Sequence, residues 1–354
     1  VYIIDGESKT YDSGTYASTA EDECVFLVIN GGTLKLNNAT ITKSGDGTAY
    51  SSGDYYNFYG CNSAVVVLGS GSSATLNNCT ITTEADYANA VFASDNGTIT
   101  INTLTITTSK DGSRGLYATY DGTITAADVS ITTTGAHCAA LATDRGGGTV
   151  TVTGTNTLST AGDGSPNIYS TGTINLTGGT GTSSGAQAIV VEGNNVVTVT
   201  NSTLSGKDSS LGAIMMYQST SGDASDSDAS SSYSSLTLTN STIQNNSTSA
   251  SCPMIFITNT TAKITSDGST YHNASGASLG STEYFIIAAG NTGTNRQWGT
   301  SGSNGGKLTY TSSNETLTGI VGVDSTDGAT CTITEGTGCT NSTTSATVSA
   351  VTVG

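Results

Sequence analysis

Good helix formers are scarce in this chain of 354 residues: Leu and Lys are sparse and methionine occurs only three times. That scarcity excludes a helical architecture and leaves an all-β chain as the natural reading. Proline is scarcer still, with 2 residues against 45 glycines. Basic charge is also short: 10 Lys and Arg stand against 27 Asp and Glu, a formal net charge of −17. Neutralising phosphate needs clustered Lys and Arg, so a nucleic-acid partner is excluded. The acidic residues are spread thinly and serve solubility. The seven cysteines show neither CxxC nor Cys/His spacing, which argues against a zinc site. Their odd number leaves at least one thiol unpaired or pairing between chains. No run reaches the roughly 18 apolar residues of a membrane span. The chain opens at Val1 without Met or a basic n-region, as after removal of a signal peptide.

Serine and threonine fill roughly a third of the sequence. Thr favours strands, while Gly, Asn and Asp supply turns. Over Ser94–Gly206 one pattern is written five times. Val91-Phe92-Ala93 leads to Gly97-Thr98-Ile99-Thr100, and Leu116-Tyr117-Ala118 to Gly122-Thr123-Ile124-Thr125. The later copies are anchored at Gly148, Gly172 and Asn195, so the steps are 25, 26, 24 and 23 residues. A period in the twenties, built of short β-type runs, is the signature of a solenoid. Three strands per turn with strongly apolar inward positions predict a single-domain parallel β-helix of roughly 10–11 turns. Its hand is taken as right-handed by analogy with β-crossover chirality.

Residues 1–24 read as an N-terminal strand and cap, and 25–354 as the helix, interrupted by insertions at 43–60, 219–232 and 290–306. The first insertion holds Tyr50, Tyr55, Tyr56, Phe58 and Tyr59, the densest aromatic cluster in the chain. Asn37/Asn38, Asn77/Asn78, Asn102, Asn201 and Asn240 recur before the last strand of a turn. Asn tolerates the left-handed conformation and bonds stacked neighbours, so this column marks a corner. After it comes Thr-x-Thr, as in Thr40-Ile41-Thr42 and Thr105-Ile106-Thr107. Alternation sends the Ile inward and lines the hydroxyls along an outer face.

Sugar binding asks for exposed rings with acids, amides and guanidinium groups nearby. Tyr55, Tyr56 and Tyr59 on the insertion, and Tyr117, Tyr169 and Tyr217 in comparable positions of different turns, are the candidate rings. Arg114, His137, Asp144, Arg145 and Glu192 fall around the same strand and its flanking turns. A lyase would use Arg114 or Arg145 as base beside Asp144 and Glu192, and an inverting glycosidase would need two suitably spaced carboxylates. Calcium at Asp223, Asp226 and Asp228 is the cofactor the acidic turns allow, though without an EF-hand pattern. Twelve Asn-x-Ser/Thr sequons occur, including Asn38, Asn78, Asn201 and Asn240, where about nine are expected by chance. Cys24 and Cys61 could bridge the base of the aromatic insertion, and Cys331 and Cys339 could close a small loop; both pairs fit an oxidising compartment. Cys138 and Cys252 read as buried thiols.

Ser113-Arg114-Gly115-Leu116-Tyr117-Ala118-Thr119, Thr143-Asp144-Arg145-Gly146-Gly147-Gly148-Thr149, Ser165-Pro166-Asn167-Ile168-Tyr169-Ser170 and Trp298-Gly299-Thr300-Ser301-Gly302 carry a family likeness. Together these segments resemble the adhesin-like, right-handed parallel β-helix proteins secreted by anaerobic bacteria. That group includes clostridial members that bind carbohydrate and contain calcium. The likeness spans most of Gly31–Gly319 and implies fold and extracellular or cell-surface placement, with no catalytic motif to carry over. This chain departs from the family in being richer in cysteine and sequons.

These observations predict an extracellular β-helix that binds polysaccharide or a cell-surface glycan through an aromatic and acidic flank, without catalysis. The alternative is a structural subunit of a fibre, stacked end to end through the edges at Val1–Ile4 and Thr347–Val353. Further readings are a polysaccharide lyase or hydrolase, and an ice-binding protein using the outward Thr rows.

Overall fold

A computed structural model of the chain describes residues 1–208, 210–219, 233–292 and 305–351. Asp223, Asp226 and Asp228, the greater part of the expected insertions at 219–232 and 290–306, Trp298 and Val353 lie outside the described residues. The chain divides into two compact units: Val1–Ile168 with Gly172–Thr180, and Tyr169–Thr171 with Gly181–Gly354. Both are stacks of parallel strands, and the chain winds a β-solenoid of about 13 turns.

In the first unit a short strand alternates with a long one. The short strands are β1 (Tyr2–Asp5), β3 (Phe26–Ile29), β5 (Val65–Leu68), β7 (Val91–Ser94), β9 (Leu116–Ala118) and β11 (Leu141–Thr143). The long partners are β2 (Ser8–Ser18), β4 (Thr33–Lys43), β6 (Ser73–Thr83), β8 (Thr98–Thr108) and β10 (Thr123–Thr133), followed by the split pair β12 (Thr149–Thr153) and β13 (Thr157–Thr160). Each pairs in parallel with its counterpart one turn on, short with short and long with long. The helix α1 (Asp54–Tyr59) lies between β4 and β5.

The long strands β4, β6, β8 and β10 are each bent once, by a single residue in the left-handed conformation. Asn38 (φ 53°), Asn78 (51°), Thr103 (62°) and Asp128 (57°) occupy this corner in turn. Two hydrogen-bonded sheets therefore make three straight sides, which accounts for the three strands per turn expected from the sequence. Asn37, Asn77 and Asn102 stand one residue earlier and form an amide ladder: Asn77 donates to Asn37 at 2.7 Å and Asn102 to Asn77 at 2.9 Å. Asn102 is thus a ladder residue, and Thr103 takes the corner.

Inward positions stack by kind. Ile41, Ile81, Ile106, Ile131 and Leu158 are in register and all but fully buried. Burying such a side chain is worth about 1.5–3 kcal/mol, and only the neighbouring turns supply the partner surface. Between them point the outward columns Thr40–Thr80–Thr105–Ser130–Thr157 and Thr42–Thr82–Thr107–Thr132–Ser159. Where turn backbones press together only glycine fits: a Cβ on Gly122 would collide with the Ala93 carbonyl.

Three expectations need correction. The turns number about 13 rather than 10–11, and residues 2–18 form one of them, with β1 and β2 in register with β3 and β4. That turn puts Tyr2, Tyr11 and Tyr16 at inward positions, and their rings meet at 5.3–5.8 Å over Phe26. Secondly, the insertion at 43–60 contains a six-residue helix that the polar, aromatic sequence did not announce. Tertiary bonds hold it: the Tyr56 hydroxyl donates to Asp22 at 2.5 Å, and Asp22 also accepts from the Thr48 and Ala49 amides. Thirdly, the C-terminal strand covers only the start of the expected edge: Thr344–Thr347 is the last strand of its sheet and pairs only with Ile320–Val323. After the strand Thr344–Thr347, Val348 and Val351 pack on an outward apolar cluster of the second unit that includes Phe256 and Ile287. Val351 is fixed there by backbone bonds to Gly290 and Thr292.

The inward–outward assignment is checked by paired substitutions. Ile106→Ala empties an inward position and should cost about 2–5 kcal/mol. Thr105→Ala, one residue away on the outer face, should stay within about 0.5 kcal/mol. Melting midpoints by circular dichroism measure both, and equal shifts would refute the assignment.

Candidate functional site

The outer side of a short strand would ordinarily face water. In the first unit Val66, Phe92 and Tyr117 share one outward column, yet each is buried. The insertion covers them: the Phe58 carbonyl accepts from Thr119 Oγ1 at 2.8 Å, and Gly60 lies against the Phe92 ring. Tyr117 stands edge-on to Phe92 at 5.2 Å, and its hydroxyl donates to Asp144 Oδ2 at 2.7 Å. The backbone amide of Arg145 donates to the other Asp144 oxygen at 2.9 Å. Arg114 lies 4.6 Å from the Tyr117 ring centre and donates to Asn57 at 2.6 Å. Arg145 lies 4.0 Å from the ring centre of Phe58. Four of the expected residues, Arg114, Tyr117, Asp144 and Arg145, are therefore brought together, as the joint that clamps the insertion to the solenoid. Cation–ring contacts are worth about 0.5–1 kcal/mol at exposed sites and about 2 kcal/mol when desolvated; Arg114 is buried and Arg145 half-buried.

Tyr117 and Tyr56 are thus corrected as sugar platforms. Tyr117 is shut under the insertion, and Tyr56 is fully buried, stacked on Tyr87 at 5.0 Å. Tyr55 and Tyr59 are 46% and 48% exposed, one helical turn apart on α1. They continue into a wider patch: Tyr50 stacks on Tyr55 at 4.2 Å, and Tyr59 stacks on Tyr120 at 5.7 Å. Tyr120 did not emerge from the sequence because its ring belongs to a turn far along the chain. Its position just before Asp121-Gly122, at the outer rim of the turn, was the available signal. Burial, then the Tyr59 hydroxyl, raise the Tyr120 pKa above the usual tyrosine value. His137 stands exposed at a left-handed corner before β11 and takes no part in this joint.

In the second unit Glu192 is buried and accepts from the hydroxyls of Tyr169, Tyr217 (3.2 Å) and Ser219. Both tyrosine rings are half-buried. A different buried carboxylate escaped sequence reasoning altogether. Glu315 accepts from the Ser269 amide (3.0 Å), Tyr310 (3.0 Å), Ser312 (2.8 Å) and Ser266 (2.5 Å). Tyr271 completes that network at 2.7 Å from Tyr310. With four donors its lone pairs are taken, so Glu315 ties turns together rather than meeting a ligand. A cleft of about 320 Å³ also opens in this unit between Asn245, Asn273, Glu283 and Tyr284.

Asn38, Asn78, Asn201 and Asn240 are exposed and left-handed at the corner, with φ of 53°, 51°, 50° and 47°. The residue after each is buried and the third points outward. Corner geometry therefore writes Asn-x-Thr without reference to glycosylation. All seven cysteines are free thiols, so neither expected disulfide is present. Cys24 directs its sulfur to the Gly60 carbonyl. Cys331 occupies a strand position in register with Leu308, whereas Cys339 bonds Ser312 at 3.2 Å. Among the described residues no group of three or more His, Cys, Asp or Glu is placed to hold a metal ion, and no helix is long and apolar enough to cross a membrane.

Comparison with protein-family models, curated proteins and solved structures returns no match. The β-solenoid therefore stands on the structure itself, and the likeness to secreted adhesins supplies no demonstrated family.

Burial pushes the thiols of Cys138 and Cys24 up to about 11 and about 12, and the Tyr56 hydroxyl to about 12. Cys24 keeps some surface as a residue, but its sulfur is enclosed under the insertion. An acid whose pKa is raised on folding gives its full stability below its unfolded value and loses it as pH climbs to the folded one. Thermal stability should hold up to about pH 9 and fall between about pH 9 and 12, with a shallower fall in Cys138→Ala. A melting midpoint unchanged across that window would contradict the burial of these groups.

Proposed function

We propose that this protein is an extracellular or cell-surface module that binds polysaccharide without chemical conversion. The observation that carries the reading is the contiguous patch formed by Tyr50, Tyr55 and Tyr59 of the insertion with Tyr120 of a later turn. Tyrosine presents a flat apolar face to sugar C–H groups and a hydroxyl to sugar oxygens, at low entropic cost because its ring has few rotamers. Arg145 beside the patch is held over Phe58 and lends it a positive charge that suits acidic glycans. A binding role fits the way Arg114 and Arg145 are spent on rings, because a general base must be unprotonated to accept a proton and a guanidinium stays protonated.

Retention on insoluble cell-wall polysaccharides and a glycan array tests this. The double variant Tyr55→Ala/Tyr59→Ala should bind about tenfold more weakly or worse, which is about 1.4 kcal/mol. Its melting midpoint should stay near wild type, since both rings are half exposed. Undiminished retention in the double variant, or no retention of wild type on any glycan, would sink the reading.

A further inference from the structure

The outward Thr columns of β4, β6, β8, β10 and β13 form a grid two residues wide and five turns long. No register shift interrupts it. Its outer column, Thr40 to Thr157, is exposed in every turn, and no position carries charge. None of its hydroxyls makes a hydrogen bond within the chain, although neighbours in a column sit one strand spacing apart. The adjoining outer face differs. There Lys35 and Asn175 interrupt the columns, Thr98 donates to the Ser72 carbonyl and Ser73 to the Thr33 hydroxyl. The grid is also stiffly held. The inward Ile and Leu column beneath it is uniform. One residue beyond it, Thr108 and Thr133 pin the strand ends by donating to the carbonyls of Ser113 (2.7 Å) and Cys138 (2.6 Å).

The result is a lattice of hydroxyls and methyl groups with repeats of about 4.8 Å along the stack and about 6.6 Å across it. The repeat along the stack lies close to the short oxygen repeat on a prism face of hexagonal ice, and the repeat across it is somewhat shorter than that face's long repeat. Hydroxyls with no internal partner can take water positions in such a face, while the γ-methyl groups between them order the intervening water. We propose that this grid binds ice, an activity separate from glycan binding at the tyrosine patch. The ligand is a crystal plane rather than a molecule, so flatness and repeat length replace a pocket.

Thermal hysteresis and ice-recrystallisation inhibition are measured on the intact chain, on Thr105→Lys at the centre of the grid, and on Thr100→Lys on the adjoining face. Wild type should show both effects, Thr105→Lys should lose most of them, and Thr100→Lys should keep them. Circular dichroism should show all three folded alike, because both substituted side chains are exposed. The double variant Tyr55→Ala/Tyr59→Ala should retain full ice activity, which separates this proposal from the glycan reading. A wild type without either effect overturns the proposal, as does equal activity in Thr105→Lys. Retention on crystalline cellulose that depends on Thr105, with no effect on ice, overturns it too and makes the grid a polysaccharide surface.

Discussion

No turn of this chain can bury its own inward side chains; each depends on the turn before and the turn after. Parallel pairing in constant register is the constraint from which the rest follows. With a side-chain period of two, a slip of one residue would carry Ile106 to the outside and Thr105 into the core. The left-handed corner guards against this. It can fall at only one place in the long strand, and the Asn37–Asn77–Asn102 amide ladder beside it fixes that place in three successive turns. Register is thus specified twice, once by apolar burial and once by hydrogen bonding at the corner.

The same repetition limits where function can reside. A regular turn offers only its outward positions, and repetition makes each of these a column of one residue type. Irregular chemistry must come from segments that leave the pattern. The insertion between β4 and β5 does so, but it brings its own cost, since a six-residue helix is too short to stand alone. Its stability comes from covering Val66, Phe92 and Tyr117, which a solvated face would have carried as polar residues. Arg114, Asp144 and Arg145 then complete the joint through ring contacts and hydrogen bonds, placing half-exposed tyrosines on a rigid support.

Much of the fold was legible because it is local and periodic. The alternation in Thr98–Thr108, the glycine before β4, β8, β10 and β12 and the asparagines at the corner each follow from one residue and its near neighbours. Features that depend on contacts distant in sequence were not. Nothing in Leu116-Tyr117-Ala118 tells that a segment some sixty residues earlier lies over the ring, a separation set by the Phe58–Thr119 bond. The outward-pointing Tyr117 therefore read as a sugar platform. Val348 and Val351 read as edge-strand residues for a comparable reason: alternation is the same whether a valine pairs in a ladder or packs on a cluster containing Phe256. The first turn read as a cap because Tyr2, Tyr11 and Tyr16 are not the aliphatic residues of later turns, yet tyrosine suits an end position where one side of the core meets water. The candidate site was accordingly half legible. Its residue types were visible, while their exposure was decided by a covering segment the periodic pattern does not describe.

The two outer surfaces singled out here make opposite demands on sequence. The tyrosine patch needs particular residues at a few places and tolerates irregular backbone around them. The hydroxyl grid needs no particular residue anywhere, but it does need the same short side chain at the same height in every turn. A charged residue shows the difference. Arg145 strengthens the patch by lying over Phe58, whereas one long cation within the grid would hold water away from its neighbours on every side. Lys35 illustrates this on the adjoining face, where it breaks an outward column between Thr10 and Thr75. Two of the three sides carry Thr columns by the ordinary preference of strands for β-branched residues. Strand preference by itself therefore does not distinguish them. What distinguishes the grid is the absence of charge and of internal hydrogen bonds over five consecutive turns, and that is a property of the face rather than of any one strand.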